Sequence, residues 1–250
     1  MSHLQKVANI IKTLDADIIN LNEIEDCRVL HELLQYLPSN HGYKYYMVPG
    51  KDTNTGQSPG FLSRVDPVSD LFHSNLKVDF PLADSTCPAH IVGRSGCAKH
   101  YITRFAIKSS SGKELSLLMA GVHLLAGPDD TSRCGRREAQ GAVLARAILK
   151  EKRPGDFIIV TGDFNDYDNM TPGKGGHKSI TGTLNIIRTK LNLYNACHMV
   201  PQDSRFSHYH YQPDDPNSGY SLIDHMLVSP ELRIRSASFY HSFKSKGKDR

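Results

Sequence analysis

Near the start of the chain Leu4, Val7, Ile10, Ile11 and Leu14 recur every three or four residues, which predicts an amphipathic helix ending at Asp15. Residues 16–23 then read as a strand covered on both faces, with a carboxylate at its C-terminal end. A second helical stripe, Val29, Leu30, Leu33, Leu34 and Leu37, is closed by Pro38. Short strands are expected at 43–48 and 61–63, around the Gly- and Thr-rich loop 50–60. Residues 100–108 and 114–125 predict two further strands, and the Ser-Ser-Ser-Gly-Lys turn at 109–113 makes them an antiparallel hairpin. Ala139, Val143, Leu144, Ala147 and Ile148 mark a helix over 136–151, stopped by Pro154-Gly155, and residues 157–162 form a buried strand. After the loop 166–178, residues 183–191 are weakly helical, and strands are expected at about 205–211, 220–228 and 232–240. Strand pairs alternating with helices, without repeat or linker, predict one α/β domain over residues 1–250 with mixed sheets.

Composition narrows the class. A chain of 250 residues, 39% apolar and 22% charged, has ample core and is neither disordered, collagenous nor coiled coil. No apolar run approaches the ~20 residues of a membrane span. The net charge of +4 is concentrated near the end, where Arg233, Arg235, Lys244, Lys246, Lys248 and Arg250 face only Glu231 and Asp249, a balance suited to a polyanionic ligand. Cys27, Cys87, Cys97, Cys134 and Cys197 show no C-x-x-C spacing, which argues against a structural zinc site. Disulfides stay open, with Cys87 and Cys97 bracketing a loop and an odd count leaving a free thiol, so the cysteines do not decide a compartment. Residues 1–14 lack the basic start and continuous apolar core of a secretory leader and do not decide it either.

Four stretches place polar groups at strand ends, where side chains leave the core and converge on a cleft. In Asn22-Glu23-Ile24-Glu25-Asp26, Glu23 is a candidate ligand for a hard cation such as Mg²⁺, although acids after a strand also serve as helix caps. His123, inside Met119–Leu124, is either a satisfied core imidazole or a donor to a phosphate oxygen. Gly162-Asp163-Phe164-Asn165 is the sharpest: strand alternation puts Asp163 and Asn165 on one side, an arrangement that an Asx turn explains less well than it explains either residue alone. Asp224 interrupts a half-buried strand, and a buried carboxylate needs a partner.

In order and spacing, Leu21-Asn22-Glu23-Ile24-Glu25, Val122-His123-Leu124, Gly162-Asp163-Phe164-Asn165 and Leu222-Ile223-Asp224-His225-Met226-Leu227-Val228-Ser229 resemble the signature strands of the endonuclease/exonuclease/phosphatase superfamily of deoxyribonuclease I-like phosphoesterases. The resemblance runs from residue 4 to about residue 240. It implies a four-layer α/β/β/α sandwich of two mixed, mainly antiparallel sheets flanked by helices. It also implies a Mg²⁺-dependent hydrolase, with Mn²⁺ as the alternative ion, that cleaves a phosphodiester of nuclease-like or phosphatase-like type by in-line attack of water. On this resemblance Glu23 is the metal ligand and His123 contacts the scissile phosphate. Asp163 orients or activates the water, Asn165 holds a phosphate oxygen or that water, and Asp224 positions or protonates the leaving oxygen. His225 takes the position where the family has an aromatic residue, and it points away from the site.

The chain departs from the family at both ends. It has no Trp-Asn strand at the start, its tryptophan count being zero, and no Ser-Asp-His strand at the end, so the domain is expected to be truncated at both ends. His241 lacks the preceding Asp and is not expected to substitute. Two functions follow: a metal-dependent phosphoesterase, or a catalytically impaired or non-catalytic member that binds an acidic partner. Arg133, Arg136, Arg137, Lys174, Lys178 and Tyr209-His210-Tyr211 are the candidate contacts to a phosphate backbone, nucleic acid included.

Overall fold

Ser2 opens α1 (His3–Leu14) through a reciprocal capping box with Gln5, and Asp15, in the left-handed conformation, ends it. The chain then runs through β1 (Ile18–Ile24), α2 (Cys27–Gln35), β2 (Lys44–Met47), β3 (Ser58–Ser63), β4 (Val78–Phe80), β5 (Gly93–Ser95), β6 (His100–Lys108) and β7 (Glu114–His123). It continues with α3 (Cys134–Glu151), β8 (Asp156–Asp163), α4 (Thr183–Leu191), β9 (Tyr194–Asn195), β10 (His208–His210), β11 (Gly219–Ser221) and β12 (Asp224–Val228). This computed structural model describes residues 2–51, 55–109, 112–210 and 219–241. Tyr211 and the basic residues Lys244, Lys246, Lys248 and Arg250 singled out in the sequence lie outside the described residues.

Two sheets carry the core: β1-β3-β2, antiparallel throughout, and β6-β7-β8-β12-β9, in which β7 and β8 run parallel and the other pairs antiparallel. Only the larger sheet is therefore mixed. Ala8 and Ile11 of α1 and Leu30 and Leu33 of α2 bury against Ile19, Ile24 and Leu62 of the smaller sheet. On the far side, Val143, Leu144, Leu184 and Ile187 of α3 and α4 bury against Leu118 and Val160 of the larger one. Phe61, Tyr101, Phe105, Leu117 and Met119 fill the space between the sheets. The result is the expected α/β/β/α layering, driven by apolar stripes that each require a covering layer.

Gly121 lets the sheets approach closely, since a Cβ there would lie 2.2 Å from Tyr101 and 2.3 Å from Asn20 Oδ1. That contact lets the Tyr101 hydroxyl donate to Asn20 Oδ1 at 2.8 Å. On the other side of β1, away from β3, no strand pairs with it among the described residues. The sandwich opens there into a cavity of about 640 Å³, lined by Ile18, Leu117, Met119, Ile159, Ile234 and Phe239 among others.

Three expected strands are changed. Of the stretch 205–211, the described residues form a strand only at β10. The stretch 220–228 splits at Leu222-Ile223, because the N–H groups of Ile223 and Asp224 both donate to Ser207 Oγ, at 3.1 and 3.0 Å, and the chain switches from pairing with β10 to pairing with β8. No strand forms over 232–240; Ile234 and Phe239 instead line the cavity, with no ladder partner among the described residues. The expected antiparallel hairpin of β6 and β7 forms, paired from Lys108 opposite Glu114 to His100 opposite Val122. The loop cysteines do not pair with each other: Cys87 joins Cys134 at the start of α3, and Cys97 is a buried free thiol.

Candidate active site

β8 ends at Asp163, and its two neighbours place a polar residue on either side in the same row. His123, the last residue of β7, pairs with Asp163 across the parallel ladder, and Asp224, the first of β12, pairs with it across the antiparallel one. His123 Nε2 lies 3.7 Å from Asp163 Oδ2, with the two side chains 9% and 20% exposed. The row depends on Gly162, whose φ of +136° and close approach to Val122, 2.1 Å from carbonyl oxygen to a built Cβ, allow no side chain.

The electrostatics are those of crowded acids. Burial pushes Asp163 up to about 7, the charge of Asp224 pushes in the same direction, and Glu23 adds to it; the Asn165 N–H and the Lys99 charge pull back. Asp224 is also raised, chiefly by burial, against the opposing pull of the Ser207 hydroxyl and His208. Ser207 is thus the partner that the buried Asp224 required.

Glu23 sits where β1 pairing shifts register between Leu21 and Ile24, at a φ of +61°, so a bulge turns its exposed carboxylate out of the strand row. Its charge still reaches both Asp163 and Asp224. Asn165 departs from the expected geometry. The strand stops at Asp163 and Asn165 has a φ of +46°, so alternation does not carry the two side chains to one side. Instead Asn165 N–H donates to Asp163 Oδ1 at 2.7 Å and Nδ2 donates to the Leu124 carbonyl at 3.0 Å, tying Asp163 to the segment after His123. The Asx turn that the sequence weighed less is therefore present, and Asn165 is part of it.

His225 points to the opposite face, as expected for the next residue on a strand. Its buried ring donates from Nε2 to the Asp166 carbonyl at 2.9 Å and accepts at Nδ1 from Asn195 Nδ2 at 3.0 Å. That pair of partners selects the neutral Nε2–H tautomer, and burial holds its pKa below the usual value. His241 stacks on Phe206, with ring centroids 3.7 Å apart, and donates to the Phe206 carbonyl.

Two residues escaped the sequence reading. Asn22, beside Glu23, has a buried Oδ1 with no hydrogen-bond partner. Lys99 is buried, donates from Nζ to Thr55 Oγ1 at 2.8 Å, and accepts the His123 N–H on its carbonyl at 3.0 Å. Asn22 stood inside a quoted motif; Lys99 carried no local signal, because only the β6–β7 pairing brings it beside His123.

Of the basic candidates, Arg137 is fully buried and binds the carbonyls of Gly127 and Pro128, both at 2.9 Å, and Asp166 at 3.5 Å. It is a structural anchor and not a substrate contact. Arg133 pairs with Asp130 at 2.9 Å, and Lys174 lies 3.8 Å from the Tyr220 ring centroid, while Arg136 and Lys178 are exposed.

The sequence profile of the endonuclease/exonuclease/phosphatase family matches residues 2–245. The chain belongs to that family. Its members are hydrolases that act on phosphoester bonds. No curated protein sequence matches the chain significantly. Among solved structures it is similar to the human Nocturnin catalytic domain with bound sulfate, at 16% identity and a TM-score of 0.56, over 97% of this chain and 81% of that one. It is also similar to TDP2 from Caenorhabditis elegans, at 16% identity and a TM-score of 0.52, over 90% of this chain and 58% of that one. A mannosyl-6-phosphatase from Bacteroides thetaiotaomicron aligns at 22% identity and a TM-score of 0.50, over 91% and 76% of the two chains. At these identities the likeness is one of fold.

The donors around Glu23 suit a hard divalent cation. All are oxygens, Asn22 Oδ1 is buried without a partner, and the charge of Glu23 raises both Asp163 and Asp224, a repulsion that a cation would relieve. The three carboxylates do not close into a ready cage among the described residues. None is needed, since Mg²⁺ is typically held by one or two carboxylates, with water and substrate oxygens completing its shell.

Proposed function

We propose that this chain hydrolyses a phosphodiester by in-line attack of water, with Glu23 and Asn22 holding Mg²⁺, or Mn²⁺ in its place. The observation that carries this reading is the row His123, Asp163, Asp224 across three adjacent strands. A bound divalent cation supplies charge neutralisation at the phosphoryl oxygens. Asp163 holds the attacking water and takes its proton; its pKa near 7 matches that task at neutral pH. His123, 3.7 Å from Asp163, donates from Nε2 to a phosphoryl oxygen. Asp224, whose pKa burial raises, positions or protonates the leaving oxygen. Asn165 acts through Asp163, fixing the carboxylate with its backbone N–H.

The test is Mg²⁺-dependent hydrolysis of bis(p-nitrophenyl) phosphate by the purified chain, with Asp163→Asn as the comparison. Loss of roughly a hundredfold or more in the variant is expected from removal of a general base. A wild-type chain that folds but never turns over leaves the second reading, a binding module on this fold. Turnover unchanged in Asp163→Asn takes Asp163 out of the mechanism.

A further inference from the structure

A second hollow, of about 360 Å³, lies beside the β4–β5 ribbon, and Lys51, Lys77, Arg94 and Arg136 line it together with His73. No Asp or Glu is among the described residues that line it. All four cations are exposed, so their charge is available to a ligand. Arg94 meets Asp79 only at 3.7 Å, with the two side chains 67% and 85% exposed, a pairing of little strength. Lys51 Nζ donates to Asn75 Oδ1, a neutral partner that leaves its charge uncompensated.

His73 adds an independent observation. Its Nε2 donates to the Ala98 carbonyl at 3.0 Å, and burial holds its pKa below the usual value, so the ring is neutral with its lone pair on Nδ1. That Nδ1 is buried and has no hydrogen-bond partner. An unsatisfied acceptor on a residue that lines the same hollow as four cations fits a group that presents anionic oxygens and a hydroxyl together, as a phosphorylated sugar does. One residue of chain links the hollow to the acidic site: Ala98 lines the hollow, and the next residue, Lys99, accepts the His123 N–H on its carbonyl.

We propose that this hollow is a subsite for a second, non-scissile phosphate of a polynucleotide substrate, with the cations holding the phosphate and His73 accepting from the attached sugar hydroxyl. The assignment rests on reading the His123–Asp163–Asp224 row as a phosphoesterase site.

The test measures two things on the full chain and on the double variant Lys77→Ala/Arg94→Ala, both exposed positions whose truncation leaves the core intact. Fluorescence anisotropy in EDTA follows binding of a single-stranded oligoribonucleotide as salt is varied. Hydrolysis of bis(p-nitrophenyl) phosphate, which has one phosphate and no sugar, is followed with Mg²⁺ present. The expected result is at least tenfold weaker oligonucleotide binding in the variant and a salt slope smaller by about 1.4, two contacts at roughly 0.7 each, with the small diester turned over within twofold of wild type. Binding curves and slopes that coincide overturn the subsite while leaving the phosphoesterase reading intact. A wild-type chain that does not bind the oligonucleotide overturns it as well. Binding that depends on Lys77 and Arg94, in a chain that never hydrolyses the diester, removes the catalytic reading and with it the assignment of the bound phosphate to a substrate.

Discussion

Asp163 and Asp224 stand directly opposite each other on β8 and β12, two carboxylates in register across an antiparallel pair. After burial, the charge of Asp224 is the largest influence raising Asp163. A negative charge on Asp224 opposes ionisation of Asp163. The site thus holds strain that the rest of the fold supports, and that strain is measurable.

Removing one member relieves it. Asp163→Asn, which abolishes a buried charge without changing side-chain volume, is expected to raise the metal-free melting temperature at pH 8 by a few degrees while activity is lost. Thermal unfolding in EDTA checks this, and an unchanged or lower melting temperature counts against electrostatic strain at Asp163.

The same pair fixes a pH dependence. Asp163 has a folded pKa of about 7, above the unfolded value near 4, so between these the folded state binds the extra proton. Its contribution is fully present below about pH 4 and is lost as pH rises through 7. Urea unfolding without metal at pH 5 and pH 8 reads this as a difference: wild type loses more stability between the two than Asp163→Asn does. Equal losses in both proteins exclude the shift.

Gly162 is the backbone condition for the row. Gly162→Ala forces a Cβ to 2.1 Å from the Val122 carbonyl oxygen at a φ of +136°. A loss of roughly 3 kcal/mol or more is expected, from strain at a residue confined to glycine's region plus a clash in a central strand pair. Denaturant unfolding measures it, and a loss below about 1 kcal/mol means that β7 and β8 separate easily.

The Cys87–Cys134 bridge ties a loop to the first turn of α3 across 47 residues of chain. Cys134→Ser is expected to cost about 4 kcal/mol on the loop-entropy scale. Comparing unfolding of wild type with and without a reducing agent against the variant separates this from a packing effect: reduction should destabilise wild type and leave Cys134→Ser unmoved.

How far the site could be read in advance differs residue by residue. Asp163 ended an apolar run and Asp224 interrupted a half-buried strand, and a carboxylate there is conspicuous because burial penalises it. Asn165 was found for the wrong geometric reason: alternation was extended past the end of β8, whereas a left-handed residue had already turned the chain. Lys99 was invisible, since its place beside His123 comes from pairing between strands and leaves no trace in local spacing. Arg137, counted among surface cations, is the fully buried anchor of a loop, which only the packing of α3 determines.

Local periodicity by itself determined the helices α1, α2 and α3, the hairpin of β6 and β7, and the polar strand ends, because apolar spacing encodes which face each element must bury. The tertiary structure decided which elements became neighbours. It split the 220–228 stretch at Ser207, left 232–240 without a ladder partner among the described residues, joined Cys87 to Cys134 and set His123, Asp163 and Asp224 in one row. Register, long-range pairing and mutual desolvation are relations between segments far apart in the chain, and they exist only once the layers have closed.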